Sequence, residues 1–134
     1  MNLYVISGVT GMTGNELARK LIISGNRVIG FDNFFASSIK SVEDLMGNRN
    51  FSFYEYDLNS KEQMEDIKTV VLSTKDNCDA VIYINCAAVV HTEHFYHINR
   101  TFETNVIGMK SFLDQAIEVG AKTYINCSTS EVYS

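Results

Sequence analysis

Ser7-Gly8-Val9-Thr10-Gly11-Met12-Thr13-Gly14 is the stretch on which the reading of this chain turns. It follows a short apolar run, Leu3 to Ile6, and opens a helical pattern from Met12 to Ser24 in which Leu17, Ala18, Leu21 and Ile22 share one stripe. Glycine at a strand end permits a tight turn, a second glycine lets backbone approach a diphosphate, and a third lets helix and sheet pack closely. The helix start then offers free N–H groups and the positive end of its dipole to an anion. A plain strand-to-helix connection is the alternative, so the surrounding residues must decide.

Moving outward, Gly25 is placed to end the first helix in a left-handed conformation, and Arg27 to Phe31 reads as a second strand. Asp32 closes that strand about 20 residues beyond the loop, where a carboxylate can accept hydrogen bonds from both ribose hydroxyls of an adenosine. It would repel a 2′-phosphate, so NAD is favoured over NADP. An exposed aspartate that merely starts a loop is the alternative; the glycines at the right distance argue against it.

Alternating strand and helix patterns continue to the end, the mark of strand–helix units around a parallel sheet. Residues 33–50 are polar and irregular, with a short helix around Ile39 to Met46. Phe51 to Tyr56 is a strand interrupted by Ser52 and Glu55, which suits an edge. Ser60 to Leu72 is a helix with Ser60 as its cap and Met64, Ile67, Val70 and Val71 as its stripe. Ala80 to Ile84 is a buried strand. Ile98 to Val119 is a long helix, with Phe102, Val106, Met109, Phe112, Leu113, Ala116 and Ile117 at spacings of three and four; Gly120 closes it and Thr123 to Cys127 is the last strand.

Composition removes several function classes. The 134 residues suit one domain, spanning 1–134, and a formal net charge of -5 argues against a general nucleic-acid binder, which needs a basic surface. No apolar run nears the roughly 18 residues that cross a bilayer. The opening residues carry no basic stretch of the kind a secretory signal has, so a cytoplasmic location is expected. Cys78, Cys86 and Cys127 are odd in number and lack a Cys-x-x-Cys spacing; they read as reduced, buried thiols. His91, His94 and His97 recur every three residues, but with only Glu93 nearby they read as a solvated or substrate-facing loop, and no metal site is expected.

Together these residues resemble the NAD-dependent epimerase/dehydratase branch of the extended short-chain dehydrogenase/reductase family, over essentially the whole chain. The glycine run and Asp32 look like that family's cofactor motif, and Asp57-Leu58 is similar to its Asp-Leu pair framing the adenine. Asn85-Cys86-Ala87-Ala88 resembles the segment lining the ribose and nicotinamide side, and Asn105-Val106-Ile107-Gly108 resembles the Asn-containing turn of the long interface helix. The tail, Cys127-Ser128-Thr129-Ser130-Glu131-Val132-Tyr133, looks like the motif in which a Ser or Thr four residues before a Tyr holds the reacting sugar oxygen. Thr13 departs from the pattern, standing where members usually carry a large apolar residue.

The resemblance implies a doubly wound α/β fold with strand order 3-2-1-4-5, incomplete relative to the family. It assigns cofactor contacts to Gly8, Thr10, Gly11, Met12, Thr13, Gly14, Asp32, Asn33, Asp57, Leu58, Cys86, Ala87, Ala88, Asn105 and Ser128, and catalytic roles to Thr129 and Glu131. Glu131 leans the chemistry toward elimination or decarboxylation, although a solvated or helix-capping carboxylate is the alternative. The hydroxyls of Ser128 and Thr129 could instead satisfy loop backbone groups. The family's Tyr-x-x-x-Lys base pair does not occur in residues 1–134, so the principal base is expected beyond Ser134 and this stretch alone is expected to be inactive. The expected activity is NAD-dependent epimerisation or dehydration of a nucleotide-sugar through a transient keto-sugar, by a homodimer of the full-length protein. Phe102, Met109 and Phe112 are either its interface or ordinary core. A non-catalytic NAD(P)-binding regulatory or redox-sensing module is the competing reading.

Overall fold

The computed structural model describes residues 1–34, 38–87 and 107–127. Among the described residues five parallel strands form one sheet: β1 (Leu3–Ser7), β2 (Arg27–Asp32), β3 (Phe51–Glu55), β4 (Val81–Asn85) and β5 (Thr123–Asn126), in the order β3-β2-β1-β4-β5. The expected order is therefore observed. In register, Leu3 lies beside both Arg27 and Val81, and Ser7 beside both Phe31 and Asn85. All the strands thus end together on one side.

Strand alternation sends successive side chains to opposite faces, and a separate core forms on each. Leu3, Val5, Ile29, Phe31, Val81 and Tyr83 pack on one face beneath α2 (Lys61–Thr74) and α3 (Met109–Glu118). Ile6, Val28, Ile82 and Ile84 pack on the other with Ala18 of α1 (Met12–Ile23) and with Val42 and Leu45 of a 3-10 segment, Ile39–Leu45. The Ser60 hydroxyl accepts from the Gln63 N–H at 3.2 Å, capping α2 as the sequence predicts. Gly25 and Gly120 take φ of +87° and +76°, ending their helices in the left-handed region.

The apolar pattern of α3 divides in a way its spacing did not disclose. Phe112, Ala116 and Val119 are buried, with the Phe112 ring 4.8 Å from Tyr83 and edge-on to Phe31 at 5.5 Å. Phe112 is core, which settles its two readings. Leu113 and Ile117 face outward, Ile117 at 69% exposure. A helix wide enough to be apolar on two stripes needs the sheet to say which one it buries. The expected start of this helix and residues Phe102, Asn105 and Val106 lie outside the described residues.

The Tyr83 hydroxyl is buried but satisfied. It donates to Gln115 Oε1 at 2.8 Å, and the Gln115 amide donates to the Met64 carbonyl at 2.8 Å, tying β4, α3 and α2 together. Burial pushes the Tyr83 phenol well above its ordinary range, so it stays neutral. No helix among the described residues is long and apolar enough to cross a membrane.

Candidate dinucleotide site

Where β1 ends, the chain turns at Gly8 with φ +67°. The Gly8 and Val9 N–H groups both donate to the Phe31 carbonyl, at 2.9 and 3.3 Å, which ties the turn to the end of β2. A side chain at Gly8 would sit 2.6 Å from the Ala87 nitrogen and from the Cys86 carbonyl carbon, so the turn lies flat against the end of β4. At Gly14, a Cβ would run into the Gly8 carbonyl and the Val9 Cα, so the third glycine lets α1 close onto the turn. Gly11 is different. Among the described residues a Cβ there would meet only the Gly8 carbonyl oxygen, at 3.4 Å, so no contact among them demands glycine at that position. As the residue before α1, Gly11 brings no side chain to cap the helix, and the first turn carries no acidic residue. The helix start is left as a bare set of donors at the positive end of the dipole.

Asp32 stands beside this turn. Its Oδ2 accepts from the Thr10 N–H at 3.1 Å and its Oδ1 from the Phe34 N–H at 2.9 Å. A carboxylate has about four acceptor positions, so two such bonds fix its direction and leave it able to take ribose hydroxyls. The residues therefore fit a dinucleotide: a side-chain-free turn at a helix start, with an oriented anion next to it. Asn33 follows Asp32, and Phe34 holds φ +61° with its ring stacked on Phe53 at 5.7 Å.

The remaining expected site residues fall into four groups. Met12 and Thr13 are exposed at the start of α1, while Thr10 is buried within the turn. Asp57 sits past β3 and is locked in place: its N–H donates to Gln63 Oε1 at 2.6 Å and its Oδ1 accepts from the Asn59 N–H at 2.9 Å. Leu58 beside it is 6% exposed within the core. Cys86 and Ala87 follow β4 and lie against Gly8. Ala88, Asn105, Ser128, Thr129, Glu131 and the three histidines lie outside the described residues. Among the described residues no group of three metal-ligating side chains converges.

Several supports of the site were not singled out by sequence. Gly30 in β2 has Val9 packed where its Cβ would be, at 2.8 Å, which seats the turn; a glycine inside a strand pattern was the available signal. Ser41 of the 3-10 segment donates to the Thr10 carbonyl at 2.6 Å. That segment is held on α1 by Arg19, whose guanidinium meets both Asp44 oxygens, at 3.0 and 2.8 Å. Below the loops, the Ser7 hydroxyl donates to Asn85 Oδ1, and the Asn85 amide donates to Asn126 Oδ1 at 2.8 Å, so a polar chain crosses β1, β4 and β5. The Cys86 and Cys127 sulfurs lie 3.4 Å apart. Burial, with the neighbouring Cys127 sulfur adding to it, pushes the Cys86 thiol well above its usual range.

Comparison with known proteins agrees with this fold. The model of a family described as NAD dependent epimerase/dehydratase matches residues 4–134. UDP-glucuronic acid decarboxylase 1 of Arabidopsis thaliana is 32% identical over 130 residues, covering 96% of this chain and 26% of that protein. Protein CapI of Staphylococcus aureus is 29% identical over 136 residues, covering 96% of this chain and 38% of that protein. The structure of UDP-glucose 4-epimerase from Thermotoga maritima with UDP-glucose superposes with a TM-score of 0.78 at 28% identity, covering 96% of this chain and 38% of that one. The chain thus spans about a quarter to two fifths of the length of these relatives.

Proposed function

The chain belongs to the NAD dependent epimerase/dehydratase family, with NAD as its cofactor, and we propose that the whole protein converts a nucleotide-sugar through a transient keto-sugar. The observation that carries this reading is the meeting, at one end of the sheet, of the Gly8 turn, the uncapped start of α1 and the oriented Asp32 carboxylate. Relatives named for UDP-glucuronic acid and UDP-glucose support a nucleotide-sugar as the substrate class.

In this proposal the turn and helix start hold the diphosphate, and Asp32 takes the adenosine ribose and disfavours a 2′-phosphate. Bound there, NAD would supply the acceptor and donor of a hydride exchanged with a sugar carbon. Thr129, on the chain leaving β5, positions the reacting sugar oxygen, because the carboxyl ends of parallel strands face the ligand crevice. Glu131 moves a proton, which favours decarboxylation or dehydration over simple epimerisation. The outward stripe of Leu113 and Ile117 suits a homodimer of the full-length protein, and a cytoplasmic location belongs to the same proposal.

The test follows the full-length protein with NAD and either UDP-glucuronic acid or UDP-glucose by proton NMR. A new sugar product is expected, with turnover lowered by Thr129→Val and, for loss of carbon dioxide, by Glu131→Gln. NAD bound without conversion of either substrate, or of other nucleotide-sugars, would make the protein a binding module instead.

A further inference from the structure

Asn85 and Asn126 are the last register partners of β4 and β5, and Cys86 and Cys127 follow them directly. The Cys127 N–H donates to the Asn85 carbonyl at 3.0 Å, so the two strands are still held together where the sulfurs meet, 3.4 Å apart. Neighbouring strands run about 4.8 Å apart. That lies within the Cα range a disulfide spans, and the sulfurs need only close to about 2.05 Å. Both side chains lie on the α1 face and neither is fully buried. On that face of β5, Ile125 is 45% exposed, and no described helix lies over it.

The pair also touches the dinucleotide site through backbone. The Cys86 carbonyl and the Ala87 nitrogen are the atoms against which Gly8 lies flat. The Cys86 N–H donates to the Ser7 carbonyl at 3.0 Å, and the Ala87 N–H reaches the Ser7 hydroxyl at 3.4 Å. Closing the sulfur gap draws Cys86 toward β5, hence away from β1, and loosens the backing of the phosphate turn. Cys78 supplies an internal contrast: it packs in the opposite core, with its sulfur 3.9 Å from the Thr74 carbonyl.

We propose that Cys86 and Cys127 form a reversible dithiol–disulfide pair whose closure weakens NAD binding at the adjoining glycine turn. A small-molecule disulfide such as oxidised glutathione is the oxidant. One cysteine thiolate attacks it, forming a mixed disulfide and releasing one glutathione thiolate; the second cysteine attacks the protein sulfur of that mixed disulfide and releases the other. The two protein thiols lose two electrons and two protons, and the small disulfide becomes two thiols. A dithiol reductant reverses the exchange. Burial disfavours the Cys86 thiolate, so attack by Cys86 quickens as pH rises.

The experiment uses the full-length protein, reduced or incubated with oxidised glutathione at mildly alkaline pH, with disulfide mapping by mass spectrometry and NAD titration by calorimetry. A linked Cys86–Cys127 peptide is expected. NAD binding should weaken by roughly 5- to 150-fold, the usual range of coupling between sites, and recover on adding dithiothreitol. Cys127→Ser and Cys127→Ala proteins should bind NAD as the reduced chain does and ignore the oxidant. The proposal fails if the mapped peptides stay unlinked, if linkage leaves NAD affinity unchanged, or if either variant keeps the oxidant response. The coupling rests on NAD occupying the glycine turn. A reduced protein that ignores NAD would overturn it through that assignment, a failure the disulfide map tells apart.

Discussion

Replacing Gly8 and Gly11 in turn by alanine separates what the glycine run does for the fold from what it does for the ligand. At Gly8, φ of +67° costs an L-residue about 1–2 kcal/mol. The new Cβ would also lie 2.6 Å from backbone atoms of Cys86 and Ala87, which cannot rotate aside, and forced overpacking of this kind costs about 1–3 kcal/mol. Gly8→Ala should therefore lose roughly 2–5 kcal/mol, a large share of the 5–15 kcal/mol typical of a domain. Among the described residues Gly11→Ala meets only the Gly8 carbonyl, at an ordinary 3.4 Å with φ of -71°, so its stability should fall by no more than about 1 kcal/mol. Its methyl nevertheless intrudes where the diphosphate must approach backbone, and the same overpacking range predicts NAD affinity lower by about tenfold or more. Urea denaturation followed by circular dichroism gives the stabilities, and calorimetric titration gives the affinities. A Gly11→Ala protein that binds NAD like the unsubstituted chain, or a Gly8→Ala protein of unchanged stability, would refute the reasoning.

Two further outcomes follow from the packing and the charges. Phe112→Ala removes a fully buried ring that touches both Phe31 and Tyr83 and should destabilise the fold by about 3–5 kcal/mol in urea unfolding; a loss below about 1 kcal/mol would contradict its place in the core. The hydrogen bond from Arg19 holds the Asp44 carboxyl below its usual range, so this pair's contribution is present above the ordinary carboxylate pKa and disappears as pH falls through the lowered one. The Tm gap between the unsubstituted protein and Asp44→Asn should accordingly close as pH falls below the ordinary carboxylate range, and a gap independent of pH would count against the link.

Much of this arrangement is legible in the residues because the physics behind it is local. A glycine that must turn, a serine that caps α2 and glycines that end α1 and α3 act within a few positions of themselves, and all stand where the chain predicts them. The mixed pattern of Ser52 and Glu55 marks β3 as an edge because only a strand paired on one side tolerates it. What escapes is what the sheet register creates. Cys86 and Cys127 look like two unrelated strand ends until the pairing of Asn85 with Asn126 sets them side by side. The brace from Ser41 to Thr10 joins an irregular segment to a turn, with no periodic signal in either. Likewise Leu113 and Phe112 are equally apolar in sequence, and only docking against Phe31 and Tyr83 decides which is buried.

The Asp32 carboxylate, aimed by the Thr10 and Phe34 N–H groups, is proposed to recognise an unphosphorylated adenosine ribose beside the glycine turn. Calorimetric titration of the full-length protein and its Asp32→Ala variant with NAD and NADP measures this most directly. The unsubstituted protein should prefer NAD by about tenfold or more, a difference of at least ~1.4 kcal/mol, and the variant should lose most of that preference through weaker NAD binding. Equal affinities in the unsubstituted protein, or an unchanged preference in Asp32→Ala, would contradict it.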